Sequence, residues 1–440
     1  MKPNSVLDVL RRHLLVDGFD LVVDLAASSG AWLVDARTGA TYLDMFSFYA
    51  TLPLGINPPE LRDDRQFRDE LLAAALTKPS NSDVATVAFA RFVETFVDVL
   101  GDPELPHLFF IEGGAPAVEN ALKTAFDWKS RHNEARGRSS RLGTQILHLT
   151  AAFHGRSGYT LSLTNTDETK IARFPKFDWP RVESPAITFP LADHLGEIQA
   201  AEERSLRQIE QAFAAHPHDI AAFIAEPIQS EGGDRHLRSE YLRAVQQLCH
   251  QHDALFILDE VQTGVGITGS AWAYQQFGLA PDIVAFGKKT QVCGIMAGRR
   301  VDEVHDNVFR VNGRINSTWG GNLVDMVRSR RMLEVIRNRG LIEQAGKQGN
   351  YLLTELTTLA GRHPQLVSNP RGRGLLCALT LPDSQIRDRV LRRAFADENL
   401  LLLGCGERDI RFRPSLMVSE DELSEATTRL DRVLATLRQP

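Results

Sequence analysis

Apolar and polar residues alternate along this chain in two rhythms. Short continuous apolar runs, HLFFI (107–111), QILHL (145–149), IAAFIAEP (220–227), ALFILDE (254–260) and DIVAFG (282–287), have the length and the β-branched or aromatic content of buried strands. Between them, apolar positions recur at helical spacing over 117–131 and 240–252, which predicts amphipathic helices. Strands alternating with helices build a mostly parallel sheet covered on both faces. After Gly321 the pattern becomes mainly helical, over 324–339 and 341–359. A β-rich stretch follows around 373–381, and a last helix is predicted over 420–437. The expected fold class is therefore α/β, with a large domain over 61–320 built on a mostly parallel central sheet and a smaller α+β domain over 321–440. Residues 1–60 are expected to pack with the small domain, since the ends of a discontinuous domain often meet.

Composition narrows the function. A chain of 440 residues, 43% of them hydrophobic, exceeds what one core usually organises and suits a sizeable enzyme. The formal charge of −6 comes from interspersed acidic and basic residues, which leaves no footprint for nucleic acid or an anionic membrane. No stretch has the length of a membrane span, and the opening MKPNSVLDVLRRHLLVDGFD lacks the unbroken apolar run of a signal peptide. A cytoplasmic protein acting on small molecules is expected. Cys249, Cys293, Cys377 and Cys405 are scattered without CxxC spacing, so neither a disulfide framework nor a bound metal is expected.

Two readings compete in FILDEVQTGVGITG. Gly264, Gly266 and Gly269 satisfy G-x-G-x-x-G after a strand, with Asp282 eighteen residues beyond Gly264 (282 minus 264), which mimics a dinucleotide-binding fingerprint. In such a turn the first glycine closes the strand directly, whereas here Asp259 to Thr263 intervene. The other reading starts from Asp259 at the carboxyl end of the strand, where open α/β sheets place ligands. A carboxylate there can pair with a protonated pyridine nitrogen, and a lysine Schiff base completes the signature of pyridoxal 5′-phosphate (PLP) chemistry. Lys288 follows the next strand, twenty-nine residues on (288 minus 259), so both groups leave the same edge of the sheet. Either residue alone would ordinarily be a solvated loop residue; the pair is what carries the reading.

DEVQTG, PDIVAFGKK and NSTWGGN together resemble the class III (ω-amino acid) aminotransferases, over nearly the whole chain. The resemblance implies the PLP-dependent transferase fold of type I and PLP as cofactor. It selects Lys288 as the lysine that binds the cofactor and leaves Lys289 as a surface or supporting cation. It places Gln262 among the cofactor contacts, Phe153 in AAFHGRSGYT over the PLP ring, and Gly114 with Ala115 in the phosphate cradle. The cradle has independent physical sense, because FFIEGGAPAVENALK runs from a strand through Gly113 and Gly114 into a helix with Pro116 in its first turn. Helix N-termini of that kind bind phosphate, although most such turns are only structural. Thr318 matches the residue that reaches the phosphate of the neighbouring subunit, which implies a homodimer with shared active sites.

Arg156 stands near the ring-covering position, and a guanidinium fork can hold a carboxylate in two parallel hydrogen bonds. Likeness to the ornithine and lysine members makes Glu231 a gate paired with Arg411 of IRFRPSL. Arg411 would serve the α-carboxylate of an oxo acid, and Glu231 would neutralise it when a diamine is bound, since an uncompensated buried charge is costly. Ser230 stands where relatives usually carry glycine. His154, alone in a loop, is weak evidence for a base, and the freed Lys288 is the natural proton shuttle. Finally, TKPSNSDVATVAFARFVETF, FDWKSRHN, RFPKFDWPR and GKKTQVCGIMAGRR are similar to the lysine 6-aminotransferases within the family. The implied reaction takes L-lysine and 2-oxoglutarate to 2-aminoadipate 6-semialdehyde, which cyclises, and L-glutamate. Ornithine or 4-aminobutyrate specificity, an NAD-dependent oxidoreductase and a non-catalytic protein of the same fold are the alternatives.

Overall fold

A computed structural model describes residues 1–437. Its centre is a seven-stranded sheet ordered His107–Ile111, Cys293–Ala297, Ile283–Phe286, Leu255–Asp259, Ile220–Ala225, Gln145–Leu149 and Arg181–Val182. Each neighbouring pair from Ile283–Phe286 through Arg181–Val182 is parallel. Cys293–Ala297 runs antiparallel to both its neighbours. The mostly parallel α/β architecture expected from the apolar runs is thus present.

The alternation of strand side chains explains the layering. Ile257, Ile283 and Ala285 face one side, where Val118, Leu122 and Trp128 of the helix Gly114–Ala135 pack on them. Phe256, Leu258 and Phe286 face the other, against Tyr241, Leu242 and Val245 of the helix Ser239–Gln251. Burial on both faces is why these strands read as continuous apolar runs.

Several elements were not read from the apolar pattern, among them the helices Arg65–Leu76, Val87–Leu100 and Ser384–Glu398. The strand Cys293–Ala297, which contains Gly294, was not among the apolar runs read as strands. A Cβ at Gly294 would sit 2.1 Å from the Phe109 carbonyl oxygen, so glycine there permits the close approach of the neighbouring strand. The 25-residue helix Leu191–Ala215 also escaped.

A second, antiparallel sheet joins Ser368–Arg373, Leu376–Thr380, Asp409–Phe412 and Leu403–Cys405, with the helices Leu341–Arg362 and Ser384–Glu398 packed against it. Thr41–Asp44 pairs antiparallel with Trp32–Val34 and parallel with Leu400–Leu401, which ties the start of the chain to its end. The last helix, Glu420–Thr436, opens with a reciprocal cap between Ser419 and Glu422. No helix of the described residues is long and apolar enough to cross a membrane.

Candidate active site

The carboxyl ends of the parallel strands converge on one cavity of about 580 Å³. Asp259 closes its strand, Glu226 follows Ala225, and Lys288 lies two residues beyond Phe286. Phe153 and His154 follow the strand that ends at Leu149, and the Ile111 strand feeds the helix beginning at Gly114. Topology therefore gathers residues that are distant in sequence, as open α/β sheets do. Of the residues singled out in the sequence, Gly114, Ala115, Phe153, Arg156, Glu231, Asp259, Gln262, Lys288 and Arg411 all line this cavity. Thr318 does not; it is exposed in the segment before the helix Leu323–Asn338.

Lys288 occupies a left-handed backbone conformation, φ +53°, which is unfavourable for a residue with a side chain. The Gln291 side chain braces the turn by donating to the carbonyls of Thr51, at 2.7 Å, and Lys288, at 3.3 Å. Burial lowers the Lys288 pKa; Asp259 opposes that shift and Arg411 adds to it. The neutral amine, the form that can act as a nucleophile or take a proton, is therefore more accessible than in a solvated lysine. Lys289 is not a surface cation. Its side chain is buried, donates to the Gln262 carbonyl at 2.8 Å, and is held well below the usual lysine range by burial.

Asp259 accepts from the Val261 N–H at 3.1 Å and pairs with His154 Nδ1 at 2.8 Å. Both residues are buried. His154, which looked like an isolated loop residue, is thus the residue that fixes the Asp259 carboxylate. Glu226 was likewise missed. It is buried and accepts from the Phe153 N–H and the Ser230 N–H, each at 3.0 Å. Burial pushes its pKa up to about 7 despite the opposing effect of His154. Ser230 itself is buried, with its hydroxyl turned toward the Ile228 carbonyl at 3.4 Å.

The Glu231 carboxylate is divided between two cations, Arg411 Nη2 at 2.8 Å and Lys170 Nζ at 2.5 Å. Burial works against its charge, but Arg411 and Lys170 bring its pKa below the ordinary value. Arg411 is buried on the strand Asp409–Phe412, and its Nε has no partner. Arg156 is exposed at the rim and joins no ion pair among the described residues. One guanidinium is therefore open and the other is occupied.

The pocket suits a phosphorylated pyridine aldehyde on its own terms. Gly113, at φ +96°, turns the chain from strand to helix, and no side chain caps that helix start, which leaves backbone N–H groups open to an anion. Gln262 Nε2 is buried with no hydrogen-bond partner. A desolvated amine and a fixed carboxylate lie in the same cavity.

Residues 17–434 match the family model described as aminotransferase class-III. The chain belongs to the class III aminotransferases. The L-lysine-epsilon aminotransferase of Mycobacterium tuberculosis is 61% identical over 424 residues, 96% of this chain and 94% of the relative. That of Streptomyces clavuligerus is 58% identical over 427 residues, 97% of this chain and 93% of the relative. Among solved structures, lysine aminotransferase from M. tuberculosis in the internal aldimine form superposes with a TM-score of 0.97 at 59% identity, covering 99% of this chain and all of that one. PLP is the cofactor of the aminotransferase, and the type I transferase fold expected from the motifs is the observed one. The glycines that mimic a dinucleotide fingerprint have a packing role instead. A Cβ at Gly264 would strike the Trp272 ring, and Gly269 lies against Gly346.

Proposed function

We propose that this aminotransferase takes the ε-amine of L-lysine and delivers it to 2-oxoglutarate, forming 2-aminoadipate 6-semialdehyde and L-glutamate. The observation that carries the reading is the pair of guanidiniums that share one cavity with Lys288, one open at Arg156 and one closed off by Glu231 at Arg411. High identity over nearly full length to enzymes named for lysine supports the choice of donor.

When bound, PLP withdraws the negative charge that develops at the carbon bearing the transferred nitrogen. Asp259, fixed by His154, would hold the protonated ring nitrogen. Gly114 and Ala115 at the helix start would hold the phosphate, and Gln262 offers its unpaired amide to the cofactor. Phe153 would cover the ring and exclude water. Lys288 would bind the cofactor between turnovers, and its amine, whose pKa burial lowers, would once released carry the proton between carbons.

Arg156 clamps the α-carboxylate of lysine, which extends the chain so that the ε-amine arrives at the reacting position. Glu231 meanwhile neutralises Arg411. With 2-oxoglutarate, Arg411 takes the α-carboxylate, Glu231 moves aside, and Arg156 holds the distal carboxylate. Ornithine is one methylene shorter, a difference worth about 1–3 kcal/mol in an apolar slot.

The same reading includes a homodimer in which Thr318, exposed and outside its own chain's cavity, completes the partner's phosphate site. It includes a reducing, cytoplasmic setting, which suits four buried free thiols. It also divides the chain near residues 60 and 320, with the pairing of Thr41–Asp44 to Leu400–Leu401 supporting a small domain built from both ends. The test is turnover by the PLP-loaded protein with 2-oxoglutarate as acceptor. Glutamate should form faster from lysine than from ornithine or 4-aminobutyrate at equal concentration; a faster rate with either of the others rejects the donor assignment.

A further inference from the structure

Glu231 has two charged partners, and the gate described above uses only one of them. Its Oε2 faces Arg411 on the strand Asp409–Phe412, while its Oε1 faces Lys170 on the short helix Glu168–Ile171. The two cations approach from different elements, so one can be released while the other stays. The Lys170 side chain has one further carboxylate nearby, Asp167 at 4.0 Å, which is about half exposed and so a weaker competitor.

The space around the carboxylate has the same two-sided arrangement. The active-site cavity of about 580 Å³ contains Lys288 and Arg411. A neighbouring cavity of about 630 Å³ is bordered by Asp167, Arg387, Cys405 and Gly406. Lys170 and Glu231 line both, so their ion pair forms part of the partition between them. The Glu231 backbone is held in place, since its carbonyl accepts from the Gly406 N–H at 2.8 Å. Movement of the gate is therefore movement of the side chain, and the open space on the far side of the partition lies toward Lys170.

We propose that Lys170 is the second counter-ion of the gate, the residue that retains Glu231 when Arg411 turns from it to an incoming substrate carboxylate. The inference rests on the gate reading of the proposed function. With lysine bound, one carboxylate faces two cations. When the α-carboxylate of 2-oxoglutarate takes Arg411, there are two carboxylates and two cations, and each anion keeps a partner. Without Lys170, opening would leave Glu231, three-quarters buried, without the cation that its Oε1 now faces. It would also leave Arg411 as the sole partner of Glu231 and so favour the closed gate. Both effects burden the oxo acid and spare the diamine. Lys170 is in this sense a positioning residue: it acts on 2-oxoglutarate through Glu231. Its Nζ also lies 5.7 Å from the centre of the Phe153 ring, so a change at Lys170 is sensed beside the cofactor cover.

The experiment follows each half-reaction of the holoenzyme separately by the absorbance of its cofactor, in Lys170→Met, Lys170→Arg, Glu231→Gln and the double variant Lys170→Met/Glu231→Gln. Losing one charge-assisted partner predicts that Lys170→Met raises the half-saturating 2-oxoglutarate concentration by about tenfold or more, with a smaller effect on its limiting rate and on lysine. Lys170→Arg should restore the oxo-acid response and doubles as the folding control. In the Glu231→Gln background, Lys170→Met should add little, because no carboxylate remains to be retained. Equal losses for both substrates, or an oxo-acid loss that persists in full in the Glu231→Gln background, overturn the proposal; the latter would mean that Lys170 touches the substrate directly. The gate is read by Glu231→Gln alone. If that change slows both half-reactions equally, the gate fails and this inference with it, whereas a selective Glu231→Gln beside an unselective Lys170→Met removes only the role of Lys170.

Discussion

Replacing Glu231 with glutamine removes one charge and almost no volume. In the protein as it stands, the buried Arg411 guanidinium has one charged partner in Glu231, at 2.8 Å, and its Nε has none. A hydrogen bond to a charged group contributes about 1.5–3 kcal/mol and a neutral one about 0.5–1.5, so the exchange forfeits roughly 1–1.5 kcal/mol. The Glu231 side chain is 26% exposed, which argues for the lower part of that range. Arg411, at 4% exposure, argues for the upper part because it has little water to turn to. The expected penalty falls on every state with the gate closed, the lysine-bound state included, and slows that half-reaction by up to about tenfold, the equivalent of ~1.4 kcal/mol. With 2-oxoglutarate the gate no longer needs to be displaced, so that half-reaction should be unchanged or faster. Stopped-flow absorbance of the cofactor resolves the two. A glutamine variant with both half-reactions slowed alike, or with lysine unaffected, would refute the neutralising role.

Three further expectations follow from the geometry. Lys288→Ala should abolish covalent capture of the cofactor by borohydride, whereas Lys289→Met should keep it and lower Tm, since Lys289 supports the Gln262 carbonyl from within the core; mass spectrometry after reduction distinguishes them, and the opposite pattern would exchange their roles. Burial disfavours the charged form of Glu226 and raises it to about 7 from an ordinary value near 4.5, so the stability linked to it is complete below about 4.5 and is lost as pH rises to about 7. Glu226→Gln should therefore gain on the parent protein by about 2 kcal/mol between pH 5.5 and 8 in denaturant titrations, and a constant difference would show that Glu226 is ionised throughout. If Thr318 completes the phosphate site of a second copy, as proposed, Thr318→Val should weaken PLP retention although the residue lies outside this chain's own cavity; unchanged retention would reject that role.

Legibility in the sequence followed the physics of each element. Strands buried on both faces must be apolar throughout, so ILHL and FILD announced themselves, and with them came the residues at their carboxyl ends, Asp259 above all. Cys293–Ala297 did not, because the close approach to Phe109 demands Gly294 and glycine reads as a break. His154 and Glu226 were hidden for a different reason. Each earns its place through a partner far along the chain, His154 through Asp259 at a separation of 105 residues and Glu226 through the backbone of Phe153 at 73. Neither contact leaves a local pattern. The turn Ser47–Ala50 was equally silent, since four successive residues there hold positive φ without a glycine among them, and Phe48 and Tyr49 reach the cavity from it. Arg411 and Glu231 became visible only by resemblance, because a lone arginine in a strand and one acid in a loop carry no signal of pairing.

The central claim concerns which nitrogen leaves lysine and where it goes. The direct measurement supplies the PLP-loaded protein with 2-oxoglutarate and lysine carrying ¹⁵N on one amine at a time, and follows the label by mass spectrometry. Label on the ε-nitrogen should appear in glutamate, and label on the α-nitrogen should remain in the cyclised product. Glutamate labelled from the α-amine would contradict the account, because it would place the α-carbon, and not the far end of the chain held by Arg156, at Lys288.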